Sequence, residues 1–554
     1  MVIDRKEAQR LNREMHRRNI TRFGLDLNPI VSLVASCFIV FFSVYALIHL
    51  DQVNRWFSLI QETLVTHFDW VFILSSNFFV LICLYLAASR IGNVRIGGVD
   101  AVPEFSNFAW YSMLISAGMG IGLIFWSVGE PLYHYTQAPP IFSSPDAAIT
   151  AMAATFFHWG LHPWGIYALI SLALAFFAYN RKLPLSLRSV FFPLLGRRVY
   201  GTLGDVIDVF AVLSTMFGLA TSLGFGVQQI NSGLDYLLDI GFSVGVQILL
   251  IAGITMVAIV SVVLGIDRGI KFLSQLNIRI AFVFMMALLL LGPTVGIIRL
   301  FANSLGLYLN QFIQSSFFIS RESSAWQGEW SVFYLAWWIS WSPFVGLFIA
   351  RMSRGRTIRE FVLGVLIVPS LLSFLWLSVF GGTAIFSDQA SDGALFAAVQ
   401  DNVPVALYQM MDMLEIPFAP ALFRVLLSLL ATVLIAFYFV TSSDSGSLVI
   451  DKITSGGKLH SPVKQRVFWA CLEGLLAATL LVIGGEMALE ALQTAVIITG
   501  FPMAILLTVM TVSLMRGLKL DKREQRMIRE SRRIREILEA IEEEEVGVDG
   551  NEGM

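Results

Sequence analysis

The sequence predicts an all-α polytopic membrane protein with twelve transmembrane helices, and three observations carry that reading. Of its 554 residues, 56% are hydrophobic and only 14% are charged, against about 25% charged in a soluble domain. Apolar runs recur along the chain at lengths that cross a bilayer, for which about 20 residues suffice. Lys and Arg are divided so unevenly between alternate loops that one topology fits and its inverse does not.

The expected spans are 31–50, 67–89, 107–135, 146–178, 203–236, 242–265, 273–300, 329–350, 359–383, 419–450, 464–484 and 488–516. With both termini cytoplasmic, the inner loops and inner span ends hold 34 of the 38 Lys and Arg, leaving Arg55, Arg299, Arg321 and Arg424 outside. A miscounted span would invert half of the loops and mix the charges. Residues 1–30 are basic but lack an apolar core followed by a cleavage site, so they read as a cytoplasmic segment rather than a signal peptide. Cys37, Cys83 and Cys471 lie within apolar runs without a CxxC pair, as expected of buried reduced thiols.

Three spans carry interruptions. Span 3 reads Ser116-Ala117-Gly118-Met119-Gly120-Ile121-Gly122 and then Gly129-Glu130-Pro131. Span 8 carries Ala336-Trp337-Trp338-Ile339-Ser340-Trp341-Ser342-Pro343, and span 10 carries Thr441-Ser442-Ser443-Asp444-Ser445-Gly446-Ser447. Alternate glycines weaken a helix and free backbone groups, which a membrane tolerates where protein or a cavity satisfies them. Spans 3 and 8 each open a set of five helices, and breaks at matching positions of two halves point to an inverted-repeat carrier with a midplane site. The chain then divides into the N-terminal segment 1–30, two helices in 31–106, a first repeat 107–300, an external connection 301–328, a second repeat 329–516 and a cytoplasmic tail 517–554. No likeness between the halves is visible by eye, so the repeat rests on hydropathy and breaks.

The tryptophans suggest the chemistry. Trp337, Trp338 and Trp341 share one apolar run, and Trp159, Trp164 and Tyr167 share another. Membrane tryptophans usually sit at the headgroup level, so a belt or plain packing is one reading. The other is a cage for a cation that cannot donate hydrogen bonds, since each ring face attracts a quaternary ammonium by roughly 0.5–2 kcal/mol when desolvated. No Asp or Glu is expected in this box, which suits a zwitterion better than a plain cation.

Gly118-Met119-Gly120-Ile121-Gly122-Leu123, Glu130-Pro131, His158-Trp159-Gly160 with Trp164 and Tyr167, the run from Ala336 to Pro343, and Thr441-Ser442-Ser443-Asp444-Ser445 together resemble the betaine/choline/carnitine transporter family. The resemblance covers nearly the whole chain. It implies a LeuT-like core of two inverted five-helix repeats with two added N-terminal helices, a homotrimer in the cell inner membrane, and symport of trimethylammonium-type osmoprotectants. It also implies that Trp159, Trp164, Tyr167 and Trp338 surround the substrate, with Trp341 on the cytoplasmic side, Phe333 on the outer side and Trp337 pointing away. Freed N–H groups of the Met119, Gly120 and Gly122 break would receive the anionic end of a betaine.

No cofactor is implied beyond sodium as coupling ion. The resemblance assigns sodium to the carbonyls of Ser116, Met119 and Tyr438 and the hydroxyls of Thr441 and Ser442. Glycine stands at 122, where proton-driven choline carriers often have Asp, and this favours sodium. A second sodium site would use Thr215 and Phe344, but Leu219 stands where a second threonine is expected, which leaves the stoichiometry open. Close helix packing by the glycines and hydroxyl bonds back to the helix are the plainer readings.

Other residues carry less. Glu130, near an outer loop, reads as structural or gating, and Asp444 reads as an inner gate contact near Asp451 and Lys452. His158 and His162 flank the box with no carboxylate expected nearby, and no histidine has metal-ligand spacing. Arg351, Arg354, Arg356 and Arg359 need only topology. No nucleotide-binding or nucleophile motif appears, which leaves an enzyme without a basis. The tail repeats apolar residues at Leu520, Met527, Ile534 and Ile541 beside seven cations; it is a solvated helix or an arm for anionic lipid. The function expected is sodium-coupled uptake of a solute such as glycine betaine. Proton-coupled or exchange carriage of choline, carnitine, ectoine or dimethylsulfoniopropionate is the alternative, and a passive channel is the rival class.

Overall fold

The computed structural model describes residues 5–549 except 23, 119, 265–266, 321–324 and 459–461, with side chains further left out at 5–9, 118, 264–272, 274, 486 and most of 521–549. The described chain is helical, with isolated bridges and no longer strand. Among the described residues, ten helices are long and apolar enough to cross a bilayer, or up to twelve when each of two bent pairs counts as one span.

The first bent pair, Asn107–Ala117 and Ile121–Thr136, turns by 62° at the glycine-rich stretch. The second corrects the expected span 273–300. Gln275–Leu291 and Thr294–Ser316 meet at 108° around Gly292-Pro293. Proline lacks an N–H and disfavours helix at the residue before it, so the chain turns there although hydropathy runs on. Much of the segment 301–328, expected as a connection, therefore continues a helix.

The other two interruptions fall elsewhere than expected. Phe333–Met352 runs through Pro343 as one helix, and its irregular π turn lies before it at Gln327–Val332. Pro420–Thr454 is one helix of 35 residues across the whole hydroxyl run. An unexpected break sits at Gly160, between Ala147–Trp159 and Leu161–Ala175. A side chain there would meet the Phe156 carbonyl at 2.6 Å and the Phe374 ring at 2.6 Å, so the close approach needs glycine.

Burial separates centre from shell. Ala147–Asn180 has 89% of its most apolar window buried inside the protein, while Pro29–Ile48 has 33%. Ala147–Asn180, Phe333–Met352 and Thr202–Leu238 therefore form the interior, and the first helix shows Leu33, Phe41 and Ile48 outward. All three cysteines are free, yet only Cys83 is buried; Cys37 and Cys471 lie on outward faces, correcting that expectation.

At the face carrying the N-terminus, buried Arg188 binds Asp208 at 2.5 Å and Asp205 at 2.9 Å. Burial opposes its charge, but the two carboxylates outweigh that and hold the guanidinium above its ordinary pKa.

Candidate functional site

A central cavity of about 160 Å³ lies among the broken helices and the long helices packed against them. Ser116, Gly120 and Gly122 line it from the two sides of the first break, and Trp159, Trp164 and Tyr167 from the two sides of Gly160. Trp337, Trp338, Trp341 and Phe344 come from Phe333–Met352, and Tyr438, Thr441, Ser442 and Ser445 from Pro420–Thr454. Residues separated by more than 300 positions thus share one chamber. Met119 lies outside the described residues. Phe333 is fully buried beside Trp337, at 5.4 Å between ring centroids, and does not line the cavity. Thr215 also lies outside the lining, its hydroxyl donating to the Ala211 carbonyl at 2.7 Å.

The rings are fixed by their edges. Trp338 Nε1 donates to the His158 carbonyl at 2.9 Å and Trp159 Nε1 to Glu130 Oε2 at 2.7 Å. Trp337 Nε1 donates to Ser222 Oγ at 3.2 Å and Trp341 Nε1 to the Gly218 carbonyl at 2.8 Å. Four indole N–H groups are thus spent on the scaffold. Trp159 meets Trp338 edge-on at 4.8 Å, Trp164 meets Tyr167 at 5.5 Å, and Tyr167 meets Trp338 at 6.4 Å. This arrangement offers a guest aromatic surface rather than these hydrogen-bond donors, as a quaternary ammonium requires.

Trp337 stacks on Trp338 at 5.0 Å and 11° and contributes to the lining. A side chain at Gly122 would approach its ring to 2.3 Å. Glycine at 122 is therefore what lets the broken helix lie against the tryptophan run.

Glu130 is the residue that sequence reasoning undervalued. It is fully buried and accepts from Trp159 and Tyr334, with His158 Nδ1 at 2.7 Å and His134 Nε2 at 3.4 Å. The expectation that His158 has no carboxylate nearby is corrected: the partner stands 28 positions earlier, on another helix. His158 Nε2 lies 3.0 Å from Ser331 Oγ, and His162 Nε2 lies 2.8 Å from Asn77 Oδ1. Glu130, His134 and His158 place possible ligand atoms within 4.8 Å of one another. Glu130 Oε2 is taken by the indole and phenol donors and Oε1 lies against His158 Nδ1, so hydrogen bonding accounts for the cluster.

The opposite wall is lined by oxygens. Thr441 Oγ1 donates to the Phe437 carbonyl at 2.9 Å, lies 3.2 Å from the Tyr438 carbonyl, and accepts from Asn277 Nδ2 at 3.3 Å. Ser442 lines the same space half-buried. Asn277 was missed; an amide early in an apolar span was its only signal. Below this wall Asp444 pairs with Arg466 at 2.7 Å rather than with Lys452.

Residues 30–523 match the betaine/carnitine/choline family of transporters. The chain is 47% identical over 511 residues to glycine betaine transporter 1 of Vibrio parahaemolyticus, covering 91% of this chain and 96% of that one. A glycine betaine/proline/choline/ectoine transporter of the same organism is 45% identical, with 91% and 89% covered. The glycine betaine transporter of Acinetobacter baylyi is 38% identical, with 94% and 77% covered.

Proposed function

Because this chain belongs to the betaine/carnitine/choline transporter family, we propose that it is a sodium-coupled secondary transporter that takes up glycine betaine or a similar quaternary ammonium solute. One observation carries the reading: aromatic faces whose indole N–H groups are spent elsewhere share a cavity with the hydroxyls of Thr441 and Ser442. The rings suit a methylated cation, and the freed backbone at Gly120 and Gly122 suits the carboxylate end. Ser116, Tyr438, Thr441 and Ser442 supply hard oxygens of the kind sodium prefers.

The topology belongs to the same reading: a multi-pass inner-membrane protein, both termini cytoplasmic, assembled as a homotrimer. The names of the relatives extend from glycine betaine to proline, choline and ectoine, so competitor breadth must be measured. Purified protein in liposomes, given labelled glycine betaine with and without an inward sodium gradient, tests the proposal. Concentrative uptake that needs sodium and is inhibited by other methylated ammonium compounds is expected. Uptake that follows a proton gradient alone overturns the coupling, and equilibration without any gradient indicates a passive facilitator.

The basic tail is assigned to anionic lipid of the inner leaflet, where each Lys or Arg gains roughly 1 kcal/mol. Truncation after Leu520 should leave basal uptake intact and blunt any rise in rate at high osmolality in anionic liposomes. An unchanged osmotic response would reduce the tail to a topological anchor.

A further inference from the structure

The helix Ile358–Ala390 runs beside both broken helices, and its middle reaches the cavity at the level of their breaks. A side chain at Gly364 would meet the Trp110 ring at 2.5 Å, and one at Gly381 would meet Pro131 Cγ at 2.5 Å. Ser373 lies close to halfway between those two contacts, as the break after Gly118 lies between Trp110 and Pro131. With a rise of about 1.5 Å per residue, Ser373 stands near the height of that break. The next residue, Phe374, fills the second break: its ring lies 2.6 Å from where a side chain at Gly160 would stand. Ser373 is thus level with both interruptions, and it lines the cavity.

Its hydroxyl is uncommitted. Buried Ser and Thr of membrane helices usually bond back to a carbonyl of their own helix. On this helix Ser370 donates to the Leu366 carbonyl and Thr383 to the Val379 carbonyl, both at 2.6 Å. Ser373 is only 5% exposed, yet among the described residues it forms no such bond. Ser222, another hydroxyl of the lining, differs: it accepts from Trp337 and donates to the Gly218 carbonyl. A buried donor without a partner is costly, so one kept so beside a cavity is a contact for a guest.

The start of Ile121–Thr136 lines the same cavity through Gly120, Ile121 and Gly122. Gly120 is the N-cap of that helix, in extended backbone, and no side chain caps it. The first N–H groups of a helix lack acceptors of their own and attract negative charge. We propose that Ser373 is a specificity-determining residue whose hydroxyl donates to the anionic end of the substrate, held at this helix N-terminus. The rings hold the methylated end, and a plain tetraalkylammonium offers Ser373 no acceptor. Ser373 therefore favours a zwitterion over a bare cation. The inference rests on the reading of the protein as a carrier of betaine-like solutes; the coupling ion has no part in it.

The test compares two guests on purified protein at fixed sodium: labelled glycine betaine, and tetramethylammonium as its unlabelled competitor. Ser373→Ala should raise the Kd of glycine betaine about tenfold or more, the effect of a lost hydrogen bond to a charged group. The inhibition constant of tetramethylammonium should stay within about twofold, which also shows that the cavity is still formed. Ser373→Thr keeps the hydroxyl and should hold the ratio of the two constants near that of the parent. Equal weakening of both guests by alanine overturns the proposal, because Ser373 then only shapes the cavity; so does an unchanged glycine betaine Kd. Tyr167→Phe removes the phenol hydroxyl on the aromatic side and keeps the ring. If the selective loss falls on that variant instead of Ser373→Ala, the donor is Tyr167 and the proposal fails. A parent protein that binds neither guest would instead sink the carrier reading itself, and this inference with it.

Discussion

The two walls of the cavity are built in opposite ways. On the aromatic wall the indoles of Trp159, Trp337, Trp338 and Trp341 each have their N–H committed at 2.7–3.2 Å, and the carboxylate among them serves three partners. On the oxygen wall Thr441 makes bonds at 2.9–3.3 Å to its own helix and Asn277, and Ser442 faces the chamber half-buried. A surface that recognises by ring faces must have its polar edges satisfied, because an unpaired buried donor costs about 1–3 kcal/mol. A surface that recognises a hard cation must keep lone pairs free. The difference indicates which residues act by holding others and which act by touching a guest.

The largest effect expected from that contrast is at Glu130. Glu130→Ala leaves the Trp159 and Tyr334 donors and the His158 ring without their acceptor, each costing about 1–3 kcal/mol. Uptake should be abolished and the purified protein should melt several degrees lower. Glu130→Gln keeps one acceptor oxygen but turns an amide toward a donor, so it should fall between alanine and the parent in both measurements. If Glu130→Ala transports normally, the aromatic wall is not held in the way described.

Next comes a ring itself. Trp338→Ala removes a face that meets Trp159, Tyr167 and Trp337. The loss of roughly 1–2 kcal/mol should raise the half-saturating substrate concentration about tenfold with the sodium response less affected. Trp338→Phe should be milder, since an aromatic face remains. A Trp338→Ala variant of unchanged affinity would move the cage elsewhere in the cavity.

The aromatic wall was readable in the sequence as residue types and not as roles. Trp159, Trp164, Tyr167, Trp337, Trp338 and Trp341 stand out by their clustering, and they meet in the cavity, Trp337 included although the resemblance implied that it points away. Glu130 was set aside because it stands near a loop and its partners lie 28, 29 and 204 positions away. Apolar periodicity does not encode which helix faces which. The breaks show the same limit: Gly118 to Gly122 announced itself by repetition, whereas the single Gly160 did not. The bend at Pro293 hid within a continuous apolar run. The hydroxyl run Thr441 to Ser447 suggested an interruption, yet Ser and Thr satisfy themselves on carbonyls of their own helix and leave Pro420–Thr454 intact.

On the oxygen wall the expected effects are smaller and of a different kind. Thr441→Ala and Ser442→Ala should each raise the sodium concentration for half-maximal uptake several-fold while leaving thermal stability near that of the parent. Substrate affinity measured at fixed low sodium should fall in parallel, because linkage between two bound species is reciprocal. Glycine betaine binding that ignores sodium in both variants and parent would remove the coupling role from this wall.

The smallest effect is expected at Thr215, which tests where the oxygen wall ends. Its hydroxyl is fully buried, donates into its own helix at 2.7 Å and does not line the cavity. Leu219, one turn further, packs against Gly446 and offers no second oxygen in this region. Thr215→Val keeps the branched shape and deletes only the hydroxyl, whose bond to an otherwise satisfied helix carbonyl contributes about 1 kcal/mol or less. Sodium half-saturation should therefore stay within about twofold of the parent, with the steepness of the sodium response unchanged. A large rightward shift, or a response that loses its cooperativity, would show that a second ion is held between Thr215 and Phe344. The oxygen wall would then continue behind the tryptophan run, and the contrast between the two sides of the cavity would no longer be a division between holding and touching.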